Sequence, residues 1–425
     1  MTRHAVTLGI EKLINDPAPI RRKRVAVLSH HAAVTHALRR TVDCIADLPC
    51  RLVRIFGPEH GFWAVAQDME GAAASVDIPT GVEIVSLYHE YPKLPANTGA
   101  AGMRRWKSEL ARAKAKLSPS DEQLRDVDVL VVDLQDVGSR YYTFVNTMAN
   151  CMAVAKRTGT KVLVLDRPNP INGVDVEGNF FDDRRWHSFV GQFNILPRHG
   201  MTIGELARYY ASEYEGYDCD LEVIEMSGWK RKYWWDETDL PWVPPSPNMP
   251  TIDTATVYPG LCLIEATNVS EGRGTTIPFE LFGAPRIDAF ALAERLNAFE
   301  LPGVGFRAQY FKPTFQKRSK EGVCGGVQVH VYDRTNFQPY LTGIITMKVL
   351  YDIGREGMFD FGWRSEAYEY EPTDDRHALE QLVGTSRFRL ALESNNGDLL
   401  GDWIEGWAED EKRFRSERNA SLLYS

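Results

Sequence analysis

A chain of 425 residues with 44% apolar residues, 25% charged residues and a formal charge of -9 has the make-up of a folded protein, which excludes disordered and fibrous classes. The acidic balance argues against nucleic acid as a partner, because such binders carry a basic surplus to displace counterions from phosphates, yet a local basic pocket for a small anion is still allowed. At roughly 150 residues per domain the length exceeds one ordinary core, and two domains are expected, 1–250 and 251–425.

The apolar run Val25-Ala26-Val27-Leu28 follows a basic cluster and predicts a first strand, and the spacing of Leu38, Val42, Cys44 and Ile45 predicts a helix over 35–48. A second strand over 52–56 is broken by Gly57 and Pro58, which deliver Glu59 and His60 onto a loop. A third strand is expected over 82–88. The stretch VDVLVVDL, 127–134, predicts a fourth, and such unbroken apolar runs suit strands covered on both faces by helices. A helix over 142–156 and a fifth strand over 161–165 follow, the latter ending in Asp166-Arg167-Pro168-Asn169. The class is therefore α/β, with a doubly wound parallel sheet. Its polar strand-end loops, around Glu59, Asp133 to Arg140 and Asp166 to Asn172, gather on one edge, where ligands of such sheets bind.

Farther along, Thr202 reads as an N-cap with Glu205 as its capping-box partner, for a helix to about 213, and a short strand is expected over 221–226. The aromatic block Trp229, Tyr233, Trp234, Trp235 and Trp242 has two readings: rings lining a carbohydrate cleft, or rings stapling a long loop. A helix over 258–267 precedes a glycine-punctuated polar loop, 268–276, with no phosphate-cradling GxxxxGK[ST] pattern. Helices near 289–300, 340–353 and past Asp375, with strands near 304–310 and 326–332, form a second, smaller α+β unit.

Several chemistries lose support. There is no GxSxG elbow, no HExxH and no GxGxxG after a strand. His30, His31 and His36 straddle a strand end and a helix start, a poor arrangement for a metal, and no metal or cofactor is expected. Cys44, Cys50, Cys151, Cys219, Cys262 and Cys324 lack a CxxC pair and read as small buried hydrophobes. The first sixteen residues show no apolar h-region, and no run approaches the ~18 apolar residues of a membrane span. As written the chain reads as cytoplasmic; trimmed at its start, it would read as extracytoplasmic. No motif speaks to oligomeric state.

What remains is an acidic cleft with arginines and aromatics, suited to acid/base work on a glycosidic bond. An acid protonates the leaving oxygen while a second group stabilises charge at the sugar carbon. Glu59 fits the first role, and Asp133, Asp136, Asp166 or Tyr142 the second; the plainer reading makes Glu59 a helix cap and His60 an ordinary loop residue.

The chain also resembles the exo-acting N-acetylmuramidases of bacterial peptidoglycan turnover, long catalogued as a domain of unknown function. Six blocks in fixed order carry the resemblance: FGPEHGF (56–62), VDVLVVDLQDVGSRYYTF (127–144), LDRPNPING (165–173), RHGMTIGELA (198–207), PPSPNMP (244–250) and YPGLCLIEATNVSEGRGTTIPFELFGAP (258–285). The resemblance implies a Rossmann-like catalytic domain, a smaller auxiliary domain, a cleft between them, and release of terminal N-acetylmuramic acid from the non-reducing end of peptidoglycan fragments. It puts the catalytic residues on Glu59 and Tyr142, with Tyr141 the adjacent alternative; His60 and Asp136 are expected to orient them.

The sugar's lactyl carboxylate calls for a bidentate cation, and Arg140, Arg167 and Arg273 lie inside the matching blocks. Arg273 is favoured because its glycine neighbours let a ligand approach the backbone. Asp166, Asn169, His199, Asn248, Asn268, Glu271 and Thr275 complete the expected substrate-binding set. The chain departs from the family pattern at Ser29-His30-His31, at 63–70 after PEHGF, and at His89 where LYG is usual; these changes cluster around Glu59 and leave room for a different acidic amino sugar. The rival to a hydrolase is a non-catalytic module that binds muropeptides in the same cleft. A third reading, a sugar-phosphate enzyme, would need phosphate held by the amides of 270–276.

Overall fold

A computed structural model describes residues 3–90, 92–93, 98–315, 322–372 and 376–425. Its larger sheet has seven strands: β1 (Arg24–Ser29), β2 (Arg51–Gly57), β3 (Ser75–Val76), β4 (Glu83–Ser86), β5 (Val129–Asp133), β6 (Lys161–Leu165) and β7 (Leu221–Ile224). Their spatial order is β3-β4-β2-β1-β5-β6-β7, all parallel except the short edge strand β3. The chain winds outward from β1 through β2 to β4, then returns beside β1 to lay down β5, β6 and β7. Without β3 this is the Rossmann order, with its switch point between β1 and β5.

Alternation along the central strands sorts the two faces. Ala26, Leu28, Leu130, Val132, Val162 and Val164 join one hydrophobic cluster; Val25, Val27, Val129, Val131, Leu163 and Leu165 join another. Helices α1 (Gly9–Asn15) and α2 (Thr41–Ala46) cover the second face through Ile10, Leu13, Val42 and Ile45. On the first face α3 (Ala100–Lys114) and α4 (Asp121–Leu124) lead to α5 (Phe144–Thr158) and α6 (Ile203–Glu213), which bury Val145, Met148, Ile203 and Leu206. Thr202 caps α6, accepting from the Glu205 amide while the Glu205 carboxylate takes the Thr202 amide, the reciprocal box expected from the sequence.

The second unit is a three-stranded antiparallel sheet, β8 (Leu281–Ala284), β9 (Val304–Phe311) and β10 (Cys324–Val331), in the order β8-β10-β9. The chain beyond residue 250 also forms α7 (Ile252–Leu261), α8 (Ala289–Asn297), which packs on β9 and β10, α9 (Pro339–Arg355), α10 (Ala378–Val383), α11 (Arg387–Glu393), α12 (Gly397–Glu405) and α13 (Trp407–Arg418), whose Phe414 meets Phe180 and Tyr209. Residue 250 falls between the two sheets, yet one apolar cluster runs from Leu28 to Phe414 across it, so the halves share packing.

Several boundaries differ from the sequence reading. The helix expected over 258–267 begins at Ile252, because Thr251 accepts the Thr254 amide and caps it earlier, and it tightens into a 3₁₀ stretch over Cys262–Ala266. The helix expected over 35–48 shrinks to α2, since residues 34–40 close a small loop in which Leu38 takes a positive φ. Strand β8 and the helices α1 and α3 were not expected. Asp375, named as the start of the last helices, lies outside the described residues. Among the described residues no helix is long and apolar enough to cross a membrane.

The aromatic block staples. Tyr233 stacks on His4 at 3.9 Å between ring centres, Trp229 meets Tyr424 edge-on at 5.1 Å, and Trp235 meets Trp242 at 5.2 Å. The guanidinium groups of Arg198 and Arg334 cover Trp234.

Helices α7 and α9 cross at backbone contact. A Cβ on Gly260 would stand 1.8 Å from the Pro339 carbonyl oxygen, and one on Gly343 would stand 2.3 Å from that of Gly260. Neither backbone can retreat without opening the shared core. Gly260→Ala is therefore expected to cost at least about 2 kcal/mol of unfolding free energy, measured as a lower denaturant midpoint at an unchanged slope.

Candidate active site

Strand β2 ends at Gly57, and the next residues turn sharply: the Gly61 amide bonds the Pro58 carbonyl at 3.0 Å, with φ of +68° at His60 and +74° at Gly61. A left-handed pair reverses the chain within one residue. Glu59 is thereby set at the carboxyl edge of the sheet, 5% exposed and facing a cleft. Its Oε2 accepts the Thr143 hydroxyl at 2.5 Å, and its Oε1 lies 3.5 Å from the Met69 amide. These partners are neutral donors and not a cation. The imidazole Nδ1 of His60 lies 3.0 Å from the Ala66 carbonyl, an acceptor only, so that nitrogen carries the proton and the ring is fixed.

Tyr142 and Thr143 precede α5, one strand beyond β1, and this brings the loops after β2 and β5 together. The Tyr142 phenol is buried; burial drives its pKa well above the ordinary value, and Asp136 and Glu59 push the same way while Ser246 pulls down. Burial raises the pKa of Tyr141 as well, but the groups acting on it are Tyr340, Cys262 and Glu177, which push up, and Arg140, which pulls down, and neither Glu59 nor Asp136 is among them. Tyr142 is thus the tyrosine beside Glu59, although both rings line the cleft. Asp136 accepts the Gly138 amide at 2.8 Å and sits 3.3 Å from His199 Nε2, behind the cleft wall.

The cleft is narrow, with a cavity volume of about 40 Å3, and opens to solvent. Residues 1–250 contribute Glu59, His60, Tyr142, Thr143, Ser246 and Asn248; the opposite wall carries Tyr258, Glu265, Arg273, Phe279, Tyr368 and Glu369. Asn248 donates to Gln67 at 2.7 Å. Three lining residues that are not glycine, His60, Phe279 and Glu369, hold positive φ, and such strain concentrates at working sites. Arg273 meets Asp68 at 3.2 Å, Glu265 at 2.6 Å and Glu271 at 3.0 Å. Burial alone would lower its pKa, but the three carboxylates hold it well above the usual guanidinium value.

Other expected binding residues lie elsewhere. Arg140 is buried away from the cleft: it donates to the carbonyls of Asn179, Ile195 and Leu382 and stacks on Phe181. Arg167 forms a buried bidentate pair with Asp133, which also accepts from Thr41. Asp166 accepts from Thr202 at 2.7 Å, Tyr424 at 2.5 Å and the Gly204 amide at 2.8 Å, joining β6, α6 and the last residues; burial raises its pKa to about 7. Asn169 bridges Met201 and Ile171. His199 accepts the Met201 amide at 3.2 Å and reaches Asp136 behind the wall. Asn268 is tied to Asp360 and Gly362, Thr275 to Gly272, and Glu271 pairs with Arg273. The amides of Gly272 and Thr275 bond inside the loop, to Ser270 and Gly272, which removes them from a phosphate-cradling role.

Sequence reading missed Thr143, Asp68, Glu265, Tyr368 and Glu369. Thr143 and Glu265 sit inside matched blocks and were within reach of it. Asp68, Tyr368 and Glu369 lie in irregular segments where no periodicity points at a site. His30, His31 and His36 do not converge. His30 Nε2 accepts the Gln135 amide at 3.0 Å, while His36 lies 3.2 Å from Glu11 and 2.9 Å from Asp239. Among the described residues no group of three or more His, Cys, Asp or Glu is placed to hold a metal ion.

Two family models divide the chain between them. The one described as exo-beta-N-acetylmuramidase NamZ, N-terminal, matches residues 25–100 and 112–253, and its C-terminal counterpart matches 256–424. The chain belongs to the NamZ family of exo-beta-N-acetylmuramidases. A curated NamZ relative, the peptidoglycan beta-N-acetylmuramidase of Bacillus subtilis (strain 168), is 39% identical over 421 residues, covering 99% of this chain and 91% of the relative. Two solved DUF1343 family proteins from Bacteroides fragilis NCTC 9343 share the NamZ fold. One has a TM-score of 0.82 at 31% identity with full coverage of both chains, the other 0.69 at 28% with 99% of each. Within this NamZ chain the matched blocks converge on the Glu59 cleft only in part, because Arg140, Arg167 and Asn169 spend their donors on the scaffold.

Arg140→Met strands three buried carbonyls without touching the cleft. It is expected to lower unfolding free energy by about 2–4 kcal/mol and leave KM of the folded fraction unchanged, read from denaturation and steady-state kinetics side by side.

Proposed function

We propose that this glycosidase hydrolyses the bond that joins a terminal N-acetylmuramic acid, or a related acidic amino sugar, to the non-reducing end of a peptidoglycan fragment. Residues 1–250 carry the acid and residues 251–425 close the cleft over the sugar. Family membership gives the reaction class, and the observation that carries the assignment to a residue is Glu59: a carboxyl group facing open space between two walls, held by neutral donors.

In this reading Glu59 protonates the bridging oxygen. Thr143 fixes the far oxygen of its carboxyl, leaving Oε1 toward the cleft, where only the long contact to the Met69 amide competes. Tyr142, a neutral phenol across the physiological range, presents its oxygen dipole to the sugar carbon as positive charge develops there. His60 and Asp136 position these two groups, His60 through the turn it closes and Asp136 from beneath Tyr142. Arg273 is the proposed receiver of the lactyl carboxylate. Asp68 makes the longest of its three ion pairs, at 3.2 Å, and is the partner an incoming carboxylate would replace.

Glu59→Gln keeps the side chain's shape and its hydrogen-bonding reach but has no proton to give. It is expected to reduce kcat about 10³-fold while calorimetric affinity for a muramic acid disaccharide stays within a factor of a few. Wild-type protein that binds the disaccharide and never cleaves it would instead favour the binding module.

Arg273→Ala removes the cation that lines the cleft. The expected result is a KM raised about 10- to 100-fold for 4-nitrophenyl N-acetylmuramide, with little change for the N-acetylglucosaminide, which lacks the lactyl group. Equal losses on both substrates would remove Arg273 from carboxylate recognition.

A further inference from the structure

Besides Glu59 and Glu265 the cleft holds a third glutamate, Glu369, that no sequence block announces. Glu369 and Tyr370 occupy the two central positions of a tight turn: Tyr368 and Glu371 exchange both backbone hydrogen bonds at 2.9 Å, and φ is +46° and +65° at the residues between. Such a turn ordinarily takes Asn-Gly, and two larger L side chains there are strained. The strain is held from the other wall. Tyr88, just beyond β4, donates its hydroxyl to Glu369 Oε2 at 2.9 Å; the Tyr370 hydroxyl donates to the His89 carbonyl and accepts the His89 amide at 3.1 Å. The outcome is a carboxyl group, 4% exposed, facing the same cleft as Glu59.

Its surroundings are acidic from every side. Glu59 faces it from the loop after β2, Asp68 from the loop that follows, and Glu265 from the 3₁₀ stretch after α7; the phenols of Tyr88, Tyr368 and Tyr370 close the shell. The cations of this region are Arg273, which Asp68, Glu265 and Glu271 surround, Arg364, which lies 5.0 Å over the Tyr368 ring, and Lys114 and Arg376, which pair with Glu371 in the same turn. Two carboxyl groups buried in one cleft cannot both ionise without a large electrostatic cost. Burial first, and then the charge of Glu59, push the Glu369 carboxyl well above the usual carboxylate range, with the Tyr88 hydrogen bond pulling the other way.

We propose that Glu369 is the proton-positioning residue of this active site: facing the cleft that Glu59 faces, it makes with Glu59 a carboxyl pair that holds the proton the bridging oxygen takes up. The inference rests on the hydrolase reading of Glu59. In one turnover the bond from the sugar carbon to the bridging oxygen breaks and the pair's proton moves to that oxygen. Water then supplies hydroxide to the sugar carbon and returns its other proton to the pair, and nothing is oxidised or reduced. Glu369 acts through Glu59 and sets the pH at which the pair loses its last proton.

The test is the pH profile of kcat/KM for wild type, Glu369→Gln and Glu369→Asp on 4-nitrophenyl N-acetylmuramide. Gln keeps the turn and a partner for Tyr88 but removes the like charge. Its basic limb is expected to move down by at least about one pH unit, so that the ratio of activity at pH 8 to activity at pH 5 falls about 10-fold or more, whatever the absolute rate. Asp is expected to restore the limb toward wild type. A basic limb that stays in place in Glu369→Gln overturns the proposal, whatever the absolute rate, because a merely structural role lowers the profile without shifting it. A second readout needs no substrate. In the infrared difference spectrum of wild type minus Glu369→Gln at pH 7, where the bands of Asp166 and Glu177 cancel, a carboxylic acid C=O band that titrates away above that pH supports the pair even if the substrate assignment fails, and its absence overturns the pair.

Discussion

The hydrogen bond from Thr143 to Glu59 joins two parts of the chain that the sheet itself keeps apart. Glu59 follows β2 and Thr143 follows β5, and β1 lies between those strands. In a doubly wound sheet the connections on either side of the switch point run to opposite faces, which opens a gap above the carboxyl ends. The hydroxyl spans that gap, fixes one oxygen of the carboxyl group and leaves the other toward the cleft. The sharp turn at His60 and Gly61 brings the carboxyl to the edge, and the packing of α5 against the sheet fixes the hydroxyl. Geometry at the site is thus inherited from rigid elements, not from a long loop that would have to be ordered by ligand.

The opposite wall is built by a different logic. Residues 251–425 supply no parallel strand ends, so they reach the cleft with a strained turn at Glu369 and Tyr370, a left-handed Phe279, and a guanidinium caged by carboxylates. These features would not hold in isolation. They are held because Tyr88 and His89 bond the turn from across the cleft and because α7 and α9 meet at Gly260 and Gly343 with no side chain between them. The two walls of the cleft are therefore joined by one continuous core.

The sequence made the sheet legible because its central strands are pure apolar runs with polar stops, and the fifth, 161–165, agrees to the residue with β6. The capping box at Thr202 was equally legible, being a short-range signal with its own hydrogen bonds. Binding residues were harder to read. Arg140, Arg167, Asp166 and Asn169 sit in the same blocks as true cleft residues, and nothing local distinguishes an arginine that takes three backbone carbonyls from one that waits for a ligand. That difference is made by residues far away in sequence, such as Leu382 for Arg140 and Tyr424 for Asp166. Glu369 was invisible for a related reason: its place in the cleft is set beside Glu59 and by Tyr88, about 280 to 310 positions earlier, and a tight turn without glycine or asparagine carries no turn signature.

The last residues return to the first sheet. Tyr424 bonds Asp166 and the Met226 amide, the Ser425 carbonyl takes the Arg231 amide, and Arg418 grips the carbonyls of His199 and Gly200. During synthesis, then, β6 and α6 emerge from the ribosome some two hundred residues ahead of the groups that satisfy them. Asp166 must wait, buried or half-buried, for a phenol not yet made. Completion of this edge therefore draws on groups some two hundred positions farther along the chain than the strand and helix they satisfy.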